Sequence, residues 1–480
     1  MKHHRYSSDL NHSAQLERVK NLFICSLSTL VLFSGFFFNS CQVANQRWFV
    51  DQPKYVDSHI AGRLMKSHQD GVFSAGGLIG FGSSSQSSLT DPDEVASFQY
   101  YAYINDLRFD AYWPYQSQIG AQGTLFSLLD TVVPLPPLLK LEFFYAFTSV
   151  LSALALALVI MWFDLEFGFT VALVVLVSTF FSQWLTAFGR SLYWSMWGFY
   201  LPMLAVMYFL RRDIAPTRHH FVQFGILVFI ALFAKFLVNG YEYITTTLIM
   251  TMVPFAYYSI LHSWTFRRIL MGVFAATVGS LLAILLSVGV LCFQVASIKG
   301  NLLDGVTHIV YSMQKRTHAA DARGFPMAVR SSLESNVGDV VWTYFKGTYL
   351  DLNNYVSSSS IVVSERLFKI RYLYLIVLFF VMTLLVLRRR SGNVSLTQRQ
   401  GAAALTVATW ISILAPTSWY VVFKAHSHMH DGYNFIVWQM PFTIFGFAVC
   451  GLAARNALLD FIDRTRHSRV AAIQTTAVNR

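Results

Sequence analysis

Charge is scarce in this chain. Of 480 residues only 13% are Asp, Glu, Lys or Arg, against 55% hydrophobic, and the mean hydropathy is +0.47. That balance excludes an ordinary soluble domain, which cannot hide so much apolar surface from water. A bilayer can, because lipid replaces water around the outer faces. Cysteine is scarcer still: Cys25, Cys41, Cys292 and Cys450 show no CxxC spacing, which excludes a disulfide framework and a cysteine-based zinc site. No P-loop, GxSxG, HExxH or GxGxxG in a βαβ setting occurs, so the signatures of ATP-driven, serine-hydrolase, zinc-protease and dinucleotide chemistry are missing. Acids are the rarer charge, 25 against 36 Lys and Arg, giving +11 overall. The cations are scattered at the ends of apolar runs, where topology and anionic headgroups call for them, so nucleic acid is not expected as a partner.

What the chain does have is apolar runs long enough to cross a membrane, about 20 residues each. The first covers 21–40, after a polar, basic start at 1–20. No small-x-small cleavage site stands out in FFFNSCQVANQ, and Phe38, Asn39 and Ser40 make a poor lipoprotein signal before Cys41, so the run reads as a retained anchor. Residues 41–140 are too polar to span and too aromatic to be a disordered linker, and read as a folded first loop. Apolar runs fill 141–298, at 141–163, 165–187, 194–210, 220–239, 243–262 and 269–298. A second large loop covers 299–365, and runs resume within 366–454, at 367–387, 402–423 and 434–454, before a basic tail at 455–480. The expected fold is an all-α polytopic membrane protein with about ten transmembrane helices and two large non-cytoplasmic loops. The short connections 211–220, 265–268 and 388–400 and the tail are Arg-rich, which places them in the cytoplasm with the N-terminus. No internal repeat is visible, which weakens a secondary-transporter reading.

The dense polar stretches all fall on the expected outer face, where ionisable groups beside a membrane usually have work to do. In RWFVDQPKYVDSHIAGRLM, Asp51 and Asp57 follow the first run, on a short amphipathic helix that could hold a general base at the surface; solvated or capping acids are the plainer reading. INDLRFDAYWPYQSQIGAQG carries Asp106, Arg108 and Asp110, then aromatics interleaved with amides that include Gln118, a mixture suited to sugars. FGRSLYWSMWGFYLP carries Arg190 and Tyr193; Arg suits phosphate, or it snorkels in an aromatic belt. AKFLVNGYEYITTT places Lys235 and Glu242 around one hairpin end, as site residues or as a pair. YSMQKRTHAADARG gives a basic cluster of Lys315, Arg316, His318 and Arg323. In KAHSHMHDGYN, His426, His428 and His430 lie on one side if the backbone is extended; the set lacks a completing Cys or Glu, so a divalent metal is not indicated and polar contacts to substrate are expected of His426 and His430.

The arrangement resembles the GT-C class of integral-membrane glycosyltransferases in topology over most of the chain. HIAGRLMKSHQDGVFSAGGLIG, YQSQIGAQG, GRSLYW and KAHSHMHDGYNFIVWQMPF are similar to segments of bacterial members. The resemblance implies a polyprenyl-phosphate-linked sugar donor, a glycan, lipid or protein acceptor in the cell envelope, and a bacterial inner membrane. It implies a first-loop Asp as base, Asp51 or Asp57 by position with Asp110 in reserve, and Arg190, Lys315, Arg316 and His426 on the donor phosphate. The sequence departs from the class in having no paired acids at the end of the first run. An envelope polysaccharide polymerase or ligase and a lipid-linked sugar flippase are the alternatives. A flippase should carry polar residues or broken helices at mid-membrane, whereas polar groups here gather at the outer ends.

Overall fold

The computed structural model describes residues 2–84, 91–212, 217–319, 321–355, 369–388 and 395–478. Parts of the Arg-rich connections (213–216 and 389–394), the end of the Gly/Ser run (85–90) and much of the second loop's close (356–368) lie outside the described residues.

The long elements are all helices, in keeping with the apolar runs. Helix α1 (Lys2–Phe38) leads into α2 (Gln52–Asp70), α3 (Pro92–Ile104) and α4 (Ala121–Val132). Next come α5 (Pro137–Phe167), α6 (Phe169–Phe180), α7 (Gln183–Gly189), α8 (Trp197–Arg211), α9 (Arg218–Asn239), α10 (Ile244–Leu261) and α11 (Phe266–Lys299). The second loop holds α12 (Leu302–Arg316), α13 (Met327–Glu334) and α14 (Val337–Phe345). Helices α15 (Tyr372–Arg388), α16 (Leu396–Ser412), α17 (Leu414–Val422), α18 (Lys424–Met429) and α19 (Phe442–Val478) complete the chain. The described strands are four short ones in two antiparallel pairs, β1 (Gly80–Ser83) with β2 (Ala111–Pro114) and β3 (Thr348–Asp351) with β4 (Lys369–Arg371).

Among the described residues seven helices are long and apolar enough to cross a membrane: Gln15–Phe38, α5, α9, α10, α11, the α16–α17 stretch Leu396–Val422, and Tyr433–Thr465. An eighth is available if α6 and α7, bent by 71° at Phe181–Ser182, count as one. The expectation of about ten is not reached. The stretch 165–187 is a broken pair, and the apolar helices over 194–210 and 367–387, α8 and α15, have only 15 and 17 residues. Hydropathy cannot see where Ser182 caps a new helix or where the backbone turns. On α11 the side chains of Leu281, Leu282, Leu285 and Leu286 are about half exposed or more. Leaving each in water would forgo much of about 1.5–3 kcal/mol of burial, so this face requires lipid.

Helices α9 and α11 approach closely because Gly225 and Gly279 face each other; a Cβ at Gly279 would fall 2.3 Å from the Gly225 carbonyl oxygen. The described parts of the two large loops pack at one end of the bundle. On α2 the fully buried Arg63 donates to the carbonyls of Ser74 (2.6 Å) and Val72, which closes the loop over β1. In the second loop Lys424, at the start of α18, donates to the carbonyls of Leu333 and Ser335, both at 2.8 Å, and ties α13 and α14 to the bundle.

Candidate functional site

Both loops wall one cavity of about 370 Å³. Helix α2 contributes Tyr55, Val56 and His59; the strand-end stretch after β2 gives Tyr115 and Ser117; the turn after α7 gives Tyr193 and Trp194. The α9–α10 turn supplies Glu242 and Tyr243, α12 supplies His308, Lys315 and Arg316, and α18 with its exit supplies His426, His430 and Tyr433. Aromatic rings and ionisable groups are interleaved in the lining.

Glu242 is the one carboxylate among the lining residues and is nearly buried. Its Oε1 lies 3.5 Å from Arg316 and its Oε2 3.8 Å from His426. Both contacts are longer than a good charge-assisted hydrogen bond, about 2.7–2.9 Å, so neither partner is firmly engaged. Arg316 also donates to the Tyr115 hydroxyl at 3.1 Å. His426 and His430 stand one helical turn apart with ring centroids at 4.8 Å, and burial pulls both imidazoles below their usual range, His426 strongly. Burial thus favours the neutral rings, which can accept a hydrogen bond. Burial and the neighbouring Arg316 also lower Lys315.

The carboxylate is placed by a buried lysine. Lys235, fully enclosed on α9, donates to the carbonyls of Gly240 (2.9 Å) and Glu242 (2.6 Å) and lies 5.2 and 5.0 Å from the ring centres of Phe199 and Phe236. Gly240 takes φ +55, and a Cβ there would fall 2.4 Å from Cβ of Gln118. The turn is locked from both sides. The Tyr193 turn is placed by a buried acid: Asp57 accepts from Ser191 Oγ (2.7 Å) and Tyr193 N (2.9 Å) through one oxygen. Burial pushes its carboxyl up to about 6.

Of the residues singled out in the sequence, Tyr193, Glu242, Lys315, Arg316, His426 and His430 meet in this cavity. Asp51, Asp57, Asp110, Gln118 and Arg190 do not line it, nor do Asp106, Arg108, Lys235, His318, Arg323 and His428. Asp51 and Asp110 are exposed. Asp57 lies behind the Tyr193 turn, and Gln118 is buried behind Gly240. Arg190 faces a separate groove. Lys235 and Glu242 do meet, but through the glutamate's carbonyl. The HSHMH stretch is helical, not extended, so an i, i+4 pair faces inward and His428 is left exposed. Among the described residues no group of three or more His, Cys, Asp or Glu could hold a metal ion. Tyr115 comes from the aromatic–amide run; His59, His308 and Tyr433 were not anticipated, and for His59 the signal was available, because Tyr55, Val56 and His59 share one helical face.

A larger cavity, about 870 Å³, lies at the opposite end of the bundle, with Glu166, Arg399 and Arg455 in its lining. There Glu166 is already saturated, by Tyr257 and Tyr258 hydroxyls at 3.0 Å each and Arg211 at 3.1 Å. The two cavities share no lining residue. The cavity around Glu242 is thus where loosely engaged ionisable groups converge. No protein-family model, curated protein or solved structure matches the chain.

Proposed function

We propose that the Glu242 cavity is the reaction chamber of a membrane glycosyltransferase of the GT-C type, moving a sugar from a polyprenyl-phosphate donor to an envelope acceptor on the non-cytoplasmic side of a bacterial inner membrane. The observation that carries the reading is the meeting of one carboxylate, Glu242, with Arg316 and Lys315 among aromatic rings. Rings offer apolar faces to a pyranose, and a guanidinium offers a fork to phosphate. A donor phosphate entering beside Arg316 and Lys315 replaces Glu242 as the guanidinium's partner and releases the carboxylate. Glu242 then takes the proton of an acceptor hydroxyl as its oxygen bonds to the anomeric carbon. The bond from that carbon to the phosphate oxygen breaks, and the electron pair leaves on the phosphate, where the two cations stabilise it.

This moves the base from the first loop to the α9–α10 turn, because Asp51 and Asp110 stand outside the cavity and Asp57 holds backbone. A polymerase or ligase would use the same groups on a longer acceptor. The sidedness rests on the arginines at the opposite end, among them Arg211, Arg267, Arg388 and Arg455. The test is glycan profiling of the envelope in a deletion strain complemented with wild type or Glu242→Gln. The variant is expected to accumulate normally and lose the product by about 10²-fold or more. Full product from a normally expressed variant would overturn the mechanism.

A further inference from the structure

Arg190 faces away from the cavity, into a groove of about 220 Å³ on the flank of the bundle. The groove is floored by Tyr100 and Tyr145, edged by Phe49 and Leu141, and rimmed by Lys54 and Glu142. The guanidinium carbon lies 4.5 Å from the Tyr145 ring centre, 5.0 Å from Phe49 and 6.0 Å from Phe37. Stacking of this kind fixes the plane of the guanidinium while leaving its N–H edge free. Among the described residues the Arg190 side chain makes no hydrogen bond or ion pair, and Asp57 acts on it only at longer range. The tyrosine floor is rigid: the Tyr100 and Tyr145 hydroxyls bond at 3.2 Å, and Tyr100 donates to the Lys54 carbonyl at 3.1 Å.

The position of the groove names its occupant. It lies where two apolar spans end, at Phe37 on α1 and at the start of α5, the level of a lipid headgroup. Apolar side chains of the groove itself reach the surface: Val50, Ile104 and Leu138 are 39%, 40% and 57% exposed. With Arg190 and Lys54 against Glu142, the groove carries a net positive charge. We infer that it is a binding site for the phosphate of an anionic glycerophospholipid, separate from the Glu242 cavity. The inference is independent of the glycosyltransferase reading.

The test is native mass spectrometry of the full-length protein released from micelles containing phosphatidylglycerol, with polyprenyl phosphate and inorganic phosphate as separate probes. Wild type and Glu242→Gln are expected to retain phosphatidylglycerol, and Arg190→Gln to bind it about ten-fold or more weakly, the loss expected for a charge-assisted fork. Should Arg190→Gln fail to accumulate, Arg190→Lys and the exposed-rim variant Lys54→Gln carry the test, each expected to weaken retention several-fold. Retention unchanged in these variants overturns the site. So does Arg190-dependent retention of polyprenyl phosphate but not phosphatidylglycerol, which would make the groove a donor subsite, or equal binding of inorganic phosphate, which needs no membrane.

Discussion

At the scale of the residue, two buried ionisable groups do the positioning and one carboxylate is left loosely held. Among the described residues Lys235 has no carboxylate partner within bonding distance; it donates hydrogen bonds to two backbone carbonyls. Replacing it with Met keeps the volume and orphans both acceptors, at about 1–3 kcal/mol for each. Lys235→Met is therefore expected to lower the thermal midpoint of the detergent-solubilised protein by several degrees; an unchanged midpoint would show that the turn does not depend on the ammonium. A second network, outside the cavity, predicts a pH dependence. Asp130 on α4 accepts from His68 on α2, from Tyr103 at 2.6 Å and from Lys140. The Asp130 hydrogen bond raises His68 above its usual value. Burial pushes Asp130 up, but its hydrogen bonds with His68, Tyr103 and Lys140 outweigh that and leave it lowered. A raised imidazole stabilises the fold fully below its unfolded value, about 6.5, and loses that contribution as pH climbs through the higher folded value. A lowered carboxyl stabilises above its own unfolded value, about 3.9, and the contribution is lost as pH falls through the folded one. The stability gap between wild type and His68→Gln should accordingly be widest near about pH 5–6 and shrink towards about pH 9. A gap that grows with pH contradicts the assignment.

At the scale of the element, helical phase decides which polar residues reach the cavity, and it explains what the sequence could and could not tell. Glu242, Arg316 and His426 were legible because each stands in a polar stretch between or beside apolar runs, where charge beside a membrane is conspicuous. Asp57 was placed in the right helix with the wrong facing. At about 100° per residue, Tyr55, Val56 and His59 occupy one arc and Asp57 points away, towards Ser191. The HSHMH stretch went wrong for a related reason: alternation suggested a strand, and the helix that forms keeps His426 and His430 together. Lys235 offered no signal for the carbonyls it binds, since they belong to a turn whose geometry depends on Gly240. Phase also makes α12 testable. Gly305 lets α12 lie on α11; a Cβ there would fall 2.6 Å from the Cys292 carbonyl oxygen. Gly305→Val is expected to lift the helix and raise hydrogen exchange across 302–316 while leaving α11 protected. Unaltered exchange in α12 would mean that the seating does not rest on this contact.

At the scale of the whole molecule, the site exists because the chain keeps returning to one end. Asp57, Tyr193, Glu242, Arg316 and His426 are far apart in sequence, yet they belong to connections on the same side of the helices. The sequence showed this grouping through the arginines of the other connections, although only seven of the described helices, or eight with the bent pair, are long and apolar enough to cross by themselves. The grouping stays intact, because the bent α6–α7 pair and the shorter α8 and α15 still carry the chain between the two ends. What fixes the sidedness is the charge of the short connections, and the prediction is direct. In a background lacking the exposed Cys41, a cysteine at the exposed position Asp339 should react with a membrane-impermeant maleimide in intact cells. A cysteine at the exposed position Arg267 should react only after the membrane is opened. Both belong to the same chain at opposite ends of the bundle, so the reverse pattern cannot be attributed to poor expression. It would turn the Glu242 cavity towards the cytoplasm, where a lipid-linked donor displayed on the outer leaflet could not reach Arg316.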